Sequence, residues 1–221
     1  MLELDNVRVK IQAYTILRNV SFRVPAGQIV GLVGRNGAGK TTTLRTIMGL
    51  EQLQSGTIQM EGEDLSQISP YRRALRGIGY VPEDRRLVGT LSAEENILVP
   101  AWATGMRDVK TRLDYVYELI PEIKSLAQRR ALQLSGGQQK MVALGRALIT
   151  GTKLLLLDEP FEGLAPALSE RFANVIRKLR DQGLAVLVAE SDLKLISAMA
   201  ETVYTIERGE ILSDETENDT I

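Results

Sequence analysis

The sequence predicts an α/β fold: a mostly parallel sheet flanked by helices, with a small antiparallel β portion and a helical portion attached. Three observations carry this. Short apolar runs alternate with helical periodicities along the 221 residues, as strands joined by crossover helices do. Gly34 to Thr41 reads G-x-x-x-x-G-K-[ST] between a strand-like and a helix-like run, the order that a phosphate-binding loop requires. Leu154 to Leu157 are four consecutive leucines before Asp158-Glu159, which suits a strand buried on both faces of a parallel sheet.

Taken in order, residues 2–10 and 16–24 alternate roughly and read as two strands. Pro25-Ala-Gly27 turns the chain into the apolar run 28–33, and Thr42 to Met48 reads as a helix closed by Gly49 at its C′ position. Ser55-Gly56 opens a short strand, Thr57 to Met60. Pro70 opens a short basic helix through Arg76, and Gly77 to Val81 is a strand ended by Pro82. From Asp84 to about Thr150 the texture is helical. Ser92 to Glu95 is a capping-box pattern, and Val109, Leu113, Val116, Tyr117 and Ile120 recur near a 3.6 period until Pro121 interrupts them. Trp102 is expected to pack in the core of this region. Residues 138–149 and 167–180 read as helices, 184–189 as a buried strand and 193–200 as a helix. Val203 to Ile206 and Glu210 to Leu212 read as a hairpin around Arg208-Gly209. The tail from Ser213 to Ile221 is polar and acidic and is expected to be loose.

Composition narrows the function classes. The chain is 44% hydrophobic and 25% charged, ordinary for a globular protein of one large domain, or one domain with a subdomain. Its net charge is −1, so nothing electrostatic argues for a nucleic-acid partner. It has no cysteine, which excludes disulfides and thiolate metal sites. It has no histidine either, which removes the commonest general base. No window has the apolar length of a membrane span, and the N-terminal residues lack the apolar core of a signal peptide.

The residue types in the loop explain its chemistry. Gly34, Gly37 and Gly39 let the backbone bend around a polyphosphate, and the N–H groups of the loop form an anion nest at a helix N-terminus. Lys40 reaches the β- and γ-phosphates, and the Thr41 hydroxyl is a Mg²⁺ ligand. A second stretch, Leu134-Ser135-Gly136-Gly137-Gln138, also opens a helix. Alone it fits an anion site or a serine-capped helix equally well. It follows Lys40 by about 94 residues and precedes Asp158 by about 20.

That order resembles the ATP-binding cassette (ABC) ATPases, over roughly residues 1–212. Gly34 to Thr41 matches Walker A, Leu134 to Gln138 the ABC signature, and Leu154 to Asp158 Walker B, with Glu159 at the catalytic carboxylate position. The resemblance implies a P-loop NTPase core and β subdomain over about 1–83 and 151–212, and a helical signature subdomain over about 84–150. Val81-Pro-Glu-Asp-Arg-Arg86, Leu91 to Ile97 and Gly163-Leu-Ala-Pro166 are more narrowly similar to the second ATPase subunit of branched-chain amino acid importers. Relatives that import urea and short amides are similar too.

By this resemblance the cofactors are ATP and Mg²⁺. Gly34, Arg35, Asn36, Gly37, Ala38, Gly39, Lys40, Thr41 and Thr42 bind nucleotide. Thr41, Asp158 and Glu83 surround the metal, Glu159 polarises the attacking water, and Leu134 to Gln138 act in trans across a head-to-tail dimer. The implied partners are a second ATPase subunit (a paralogue, or a second copy), transmembrane permease subunits and, indirectly, a solute-binding protein. The implied location is the cytoplasmic face of the inner membrane, as a peripheral protein. Trp102, Met106 and neighbouring apolar residues are candidates for the permease surface.

Three positions depart from the family pattern. Ser191 stands where a histidine usually touches the γ-phosphate. The register of the adenine-stacking aromatic falls on Ile11, and Tyr14 is three residues late; Tyr14 either reaches the base or packs in the small sheet. Ala165 replaces the usual aspartate after Gly163-Leu164. Other functions with some claim are a soluble ABC protein acting on nucleic acid or ribosomes, an exporter ATPase, and a nucleotide-gated dimerisation module with negligible hydrolysis.

Overall fold

The computed structural model describes residues 1–216, with side chains through Leu212. Ten strands form one mixed sheet in the order β5-β4-β1-β2-β10-β9-β3-β8-β7-β6. Its central strands are β3 (Ile29–Val33), β8 (Ala185–Glu190) and β7 (Leu154–Asp158), with β6 (Ile78–Val81) at the edge beside β7, all parallel. β9 (Thr202–Glu207) adds in parallel beside β3.

These central strands are apolar because both faces are covered. Along β7, Leu155 and Leu157 join one core cluster while Leu154 and Leu156 join the other, and Ile29, Val30, Leu32 and Val33 divide in the same way. The period-2 alternation of a strand sends neighbours to opposite layers. The first layer includes α3 (Ala93–Thr104), α4 (Val109–Leu119), α5 (Pro121–Lys124), α6 (Gly136–Thr150) and α7 (Pro166–Asp181). The second is built on α1 (Lys40–Ile47) and the antiparallel strands β1 (Leu2–Ile11), β2 (Tyr14–Val24) and β4 (Leu53–Met60). β5 (Glu63–Asp64) pairs at the edge of β4. The remaining helices among the described residues are short: α2 (Pro70–Leu75), α8 (Leu193–Ser197) and a 3-10 turn at Ala131–Gln133.

Most boundaries fall within a few residues of expectation, and four findings depart from it. β4 begins at Leu53 rather than Thr57, because β1 carries the pairing back through Arg8↔Ser55 and Val9↔Leu53. α8 stops at Ser197, three residues early. Ser213 to Thr216 are not a loose tail but the end of β10 (Glu210–Thr216), paired from Ser213↔Thr205 to Thr216↔Thr202. Residues 217–221, the rest of that expected tail, lie outside the described residues. Trp102 is not core: it is 55% exposed. α3 buries Ala93, Asn96, Ile97 and Ala101, and one step beyond Ala101 turns Trp102 about 100° away from that face.

Candidate nucleotide site

Parallel register brings the site together. In β3 Val33 lies beside Glu190 of β8, and in β7 Asp158 lies beside Ala189 of β8. The loops leaving the C-terminal ends of these three adjacent strands therefore meet, where open α/β sheets place their ligands. They enclose a cavity of about 780 Å³ lined by, among others, Arg35, Asn36, Thr42, Glu83, Glu159 and Ser191.

The loop Gly34 to Gly39 crosses from β3 to α1. Gly34 N–H donates to the Glu190 carbonyl (3.3 Å) and Ala38 N–H to the Arg35 carbonyl (3.0 Å). Gly39 adopts φ 117°, and a Cβ there would lie 2.9 Å from Leu17 Cδ2. The positive φ and the close approach of β2 both demand glycine. α1 begins at Lys40, so its unpaired N–H groups face the cavity.

Lys40 is buried. Its ammonium donates to the Gly34 carbonyl (2.6 Å) and to Ser191 Oγ (2.9 Å), and pairs with Glu159 Oε1 at 2.9 Å. Ser191 Oγ lies 2.7 Å from Glu159 Oε1 and 3.2 Å from Asn36 Oδ1. It accepts from Lys40 and donates to Glu159. Burial works to raise the Glu159 carboxyl, but hydrogen bonds from Glu190, Ser191 and Lys40 outweigh it and hold Glu159 below the usual carboxylate range. Glu190 moves the opposite way. It is 4% exposed, and burial, then the shared hydrogen bond with Glu159, push it well above that range. Its two oxygens accept from Phe161 N–H (3.0 Å) and Ser191 N–H (3.2 Å).

Thr41 Oγ1 donates to Asp158 Oδ1 (3.0 Å) and the Tyr80 hydroxyl to Asp158 Oδ2 (3.3 Å). Burial pushes Asp158 up to about 6 despite these bonds. A hydroxyl and a carboxylate in contact beside a polyphosphate cradle fit Mg²⁺, which binds through one or two carboxylates and substrate phosphates. Among the described residues no cluster of three or more carboxylates is poised for metal, and this mode of binding needs none.

Other expected residues fall elsewhere. Tyr14 is 72% exposed at the start of β2, opposite Ile11. The cavity wall in this region is Ile16. Leu134 to Gln138 lie outside the cavity. In this single chain Ser135 caps α6, accepting from Gln138 N–H (3.3 Å) while Gln138 Oε1 accepts from Ser135 N–H (2.9 Å). Sequence reasoning missed Glu190, Tyr80 and Lys140. A polar residue closing an apolar strand, as Glu190 does, was the available signal for the first; nothing in the pattern singled out the other two.

The family model for the ABC transporter matches residues 17–162. The chain is 39% identical over 216 residues, 98% of its length and 93% of the relative's, to the high-affinity branched-chain amino acid transport ATP-binding protein BraG of Pseudomonas aeruginosa. It is 34% identical over 200 residues, 90% of its length and 83% of the relative's, to the lipopolysaccharide export system ATP-binding protein LptB of Escherichia coli. It superimposes on a dimeric bacterial ABC transporter cassette with a TM-score of 0.89, at 25% identity and covering all of both chains. No helix among the described residues is long and apolar enough to cross a membrane. A family match over more than half of the chain, on a fold that seats a phosphate loop against a buried acidic strand end, identifies this protein as an ATPase of the ABC transporter family.

Proposed function

We propose that this chain is the ATP-hydrolysing subunit of an importer for branched-chain amino acids. The observation that carries the solute is the 39% identity to BraG across nearly the whole of both chains. The sequence Val81 to Arg86 and the run Gly163 to Pro166 point the same way. The likeness to an export-system subunit makes an exporter the reading to beat, and a urea or amide importer the nearer alternative.

In this reading the loop N–H groups from Asn36 to Thr41 hold the phosphates. The γ-phosphate draws Lys40 away from Glu159, since a polyanion competes for the same ammonium. Glu159 is thereby freed to accept a hydrogen bond from the attacking water. Water oxygen bonds to the γ-phosphorus, the bond to the bridging oxygen breaks, and the water proton passes by way of Glu159 to the phosphate products. Thr41, Asp158 and Glu83 would hold Mg²⁺, which supplies charge neutralisation to the triphosphate. Ser191 keeps Lys40 and Glu159 in register where other cassettes bring a histidine. Leu134 to Gln138 serve the nucleotide of a second ATPase subunit, and residues 84–150 form the helical subdomain. Permease subunits would dock on that subdomain, where Trp102 is exposed, on the cytoplasmic face of the membrane.

Hydrolysis by the wild type and by Glu159→Gln tests the enzyme. We expect the variant to lose about 10²-fold or more in rate while still binding MgATP. Equal rates would leave only a nucleotide-gated dimerisation module. Leucine uptake by cells whose own copy carries Lys40→Met tests the solute. Unimpaired leucine uptake beside lost urea or amide uptake transfers the assignment to the amide importers.

A further inference from the structure

Glu159 holds an unusual backbone. Its φ is 46°, a left-handed conformation that a non-glycine residue keeps only when its surroundings over-determine it. Its N–H donates to the Ala189 carbonyl at 2.9 Å, and its carboxylate is held by Lys40 and Ser191. The remaining group, its carbonyl, accepts from the Lys140 ammonium at 2.7 Å and, at 3.4 Å, from the Glu162 N–H. Nucleotide must take Lys40 from the carboxylate. The backbone bonds, of which the one from Lys140 is the shorter at the carbonyl, then keep the peptide aimed while Ser191 stays on the carboxylate.

Lys140 lies on α6, five residues after Ser135, the cap of the same helix. Its side chain is buried, with the residue 6% exposed. A buried ammonium is costly, and burying it lowers its affinity for a proton, against the opposing fields of Glu162, Glu190 and Glu159. Capping one strand-end carbonyl would need only a neutral amide. A lysine spends charge on a contact that joins two functional segments, the signature helix and the catalytic peptide.

We propose that Lys140 is a positioning residue for hydrolysis, its ammonium tying the signature helix to the backbone that aims Glu159. This rests on the ATPase reading above. Signature residues serve the nucleotide of the partner subunit, whereas Glu159 serves this chain's own. Lys140 therefore links the two sites of a dimer through about one turn of α6, and seating the signature on one nucleotide is felt at the carboxylate facing the other.

The test compares the full-length wild type with Lys140→Met, which keeps the apolar stem and removes the donor, and Lys140→Arg, which keeps a donor. Steady-state ATP hydrolysis, MgATP affinity and thermal melting are measured on each. Wild-type hydrolysis that Glu159→Gln abolishes establishes the underlying reading; its absence would remove that reading and this proposal with it, whereas intact hydrolysis indifferent to Lys140 would remove this proposal alone. We expect Lys140→Met to lower kcat about 30- to 100-fold, as small misplacements of catalytic groups do. KM, MgATP affinity and melting temperature should stay near wild type, and Lys140→Arg should recover most of kcat. If Lys140→Met does not fold, Lys140→Gln, a donor on a shorter stem, replaces it and should show a partial loss of kcat at unchanged KM. Wild-type kcat in the donor-free variant overturns the proposal. So does a joint loss of kcat and nucleotide affinity, or equal impairment of the methionine and arginine variants.

Discussion

At the residue scale, the paired acids at the ends of β8 and β7, Glu190 and Glu159, set how the site responds to pH. Glu190 and Glu159 share a hydrogen bond, and burial drives the pair to hold a proton on Glu190. The sign follows from linkage. A carboxyl whose folded value is raised costs no stability while both states are protonated, and its cost grows as pH rises above the ordinary carboxylate value of about 4.3. Glutamine resembles the protonated acid in shape and charge. Glu190→Gln should therefore raise the melting temperature of the nucleotide-free chain at pH 8 and change it little at pH 4. Thermal melts across that range check this, and an equal shift at both pH values would show that folding does not raise the Glu190 carboxyl.

Among the elements, helix caps carry separable energies. α3 opens on a complete capping box: Ser92 Oγ accepts from Glu95 N–H (3.1 Å), and Glu95 Oε2 accepts from Ser92 N–H (2.7 Å). Ser92→Ala should cost about 1 kcal/mol, a fall of roughly 2–4 °C in melting temperature for a chain of this size. MgATP affinity should not change, since Ser92 does not line the cavity. The C-terminus of α1 is capped differently. Arg73 of α2 is buried, and its guanidinium donates to the carbonyls of Thr46, Ile47, Leu65 and Ile68. Its charge falls where α1 presents its negative dipole end. A helix read from sequence as merely basic turns out to bolt α1 to the segment that follows β5.

Across the whole molecule, the antiparallel and parallel parts of the sheet join at one narrow seam. The β9–β10 hairpin meets β2 at Glu210↔Asn19, and Gly209 sits at the junction. Its carbonyl accepts from Arg18 N–H (2.9 Å), and its N–H donates to the Ala38 carbonyl of the phosphate loop (2.8 Å). A Cβ at Gly209 would lie 1.9 Å from the Ile16 carbonyl oxygen, and φ is 81°. Gly209→Ala must push the hairpin away from both β2 and the loop. We expect it to cost about 3 kcal/mol and to weaken MgATP binding along with stability, measured by melting and nucleotide titration. A stable variant with weakened binding would place the effect on the loop alone.

Local chemistry was enough to read much of this protein from its residues. The glycine-rich turn between β3 and α1, the leucine-rich strand, the serine-capped start of α6 and the alternation of strands with helices depend on short-range residue types, and each element is where the order of the chain implied. Ser92, Pro70 and Gly49 marked helix ends because caps and turns act within a few residues. What eluded the sequence depends on partners distant along the chain. Tyr80 reaches Asp158 across 78 residues and Arg73 reaches Thr46 across 27. Lys140 and Glu159, 19 apart, meet because α6 packs on β6, the strand beside β7. Trp102 faces outward because α3 buries its other side, a choice that helical periodicity alone left open. Short-range patterns name the parts of the site, but the packing of the sheet and its helices selects which buried polar groups must satisfy one another, since each needs a partner that only the assembled fold supplies.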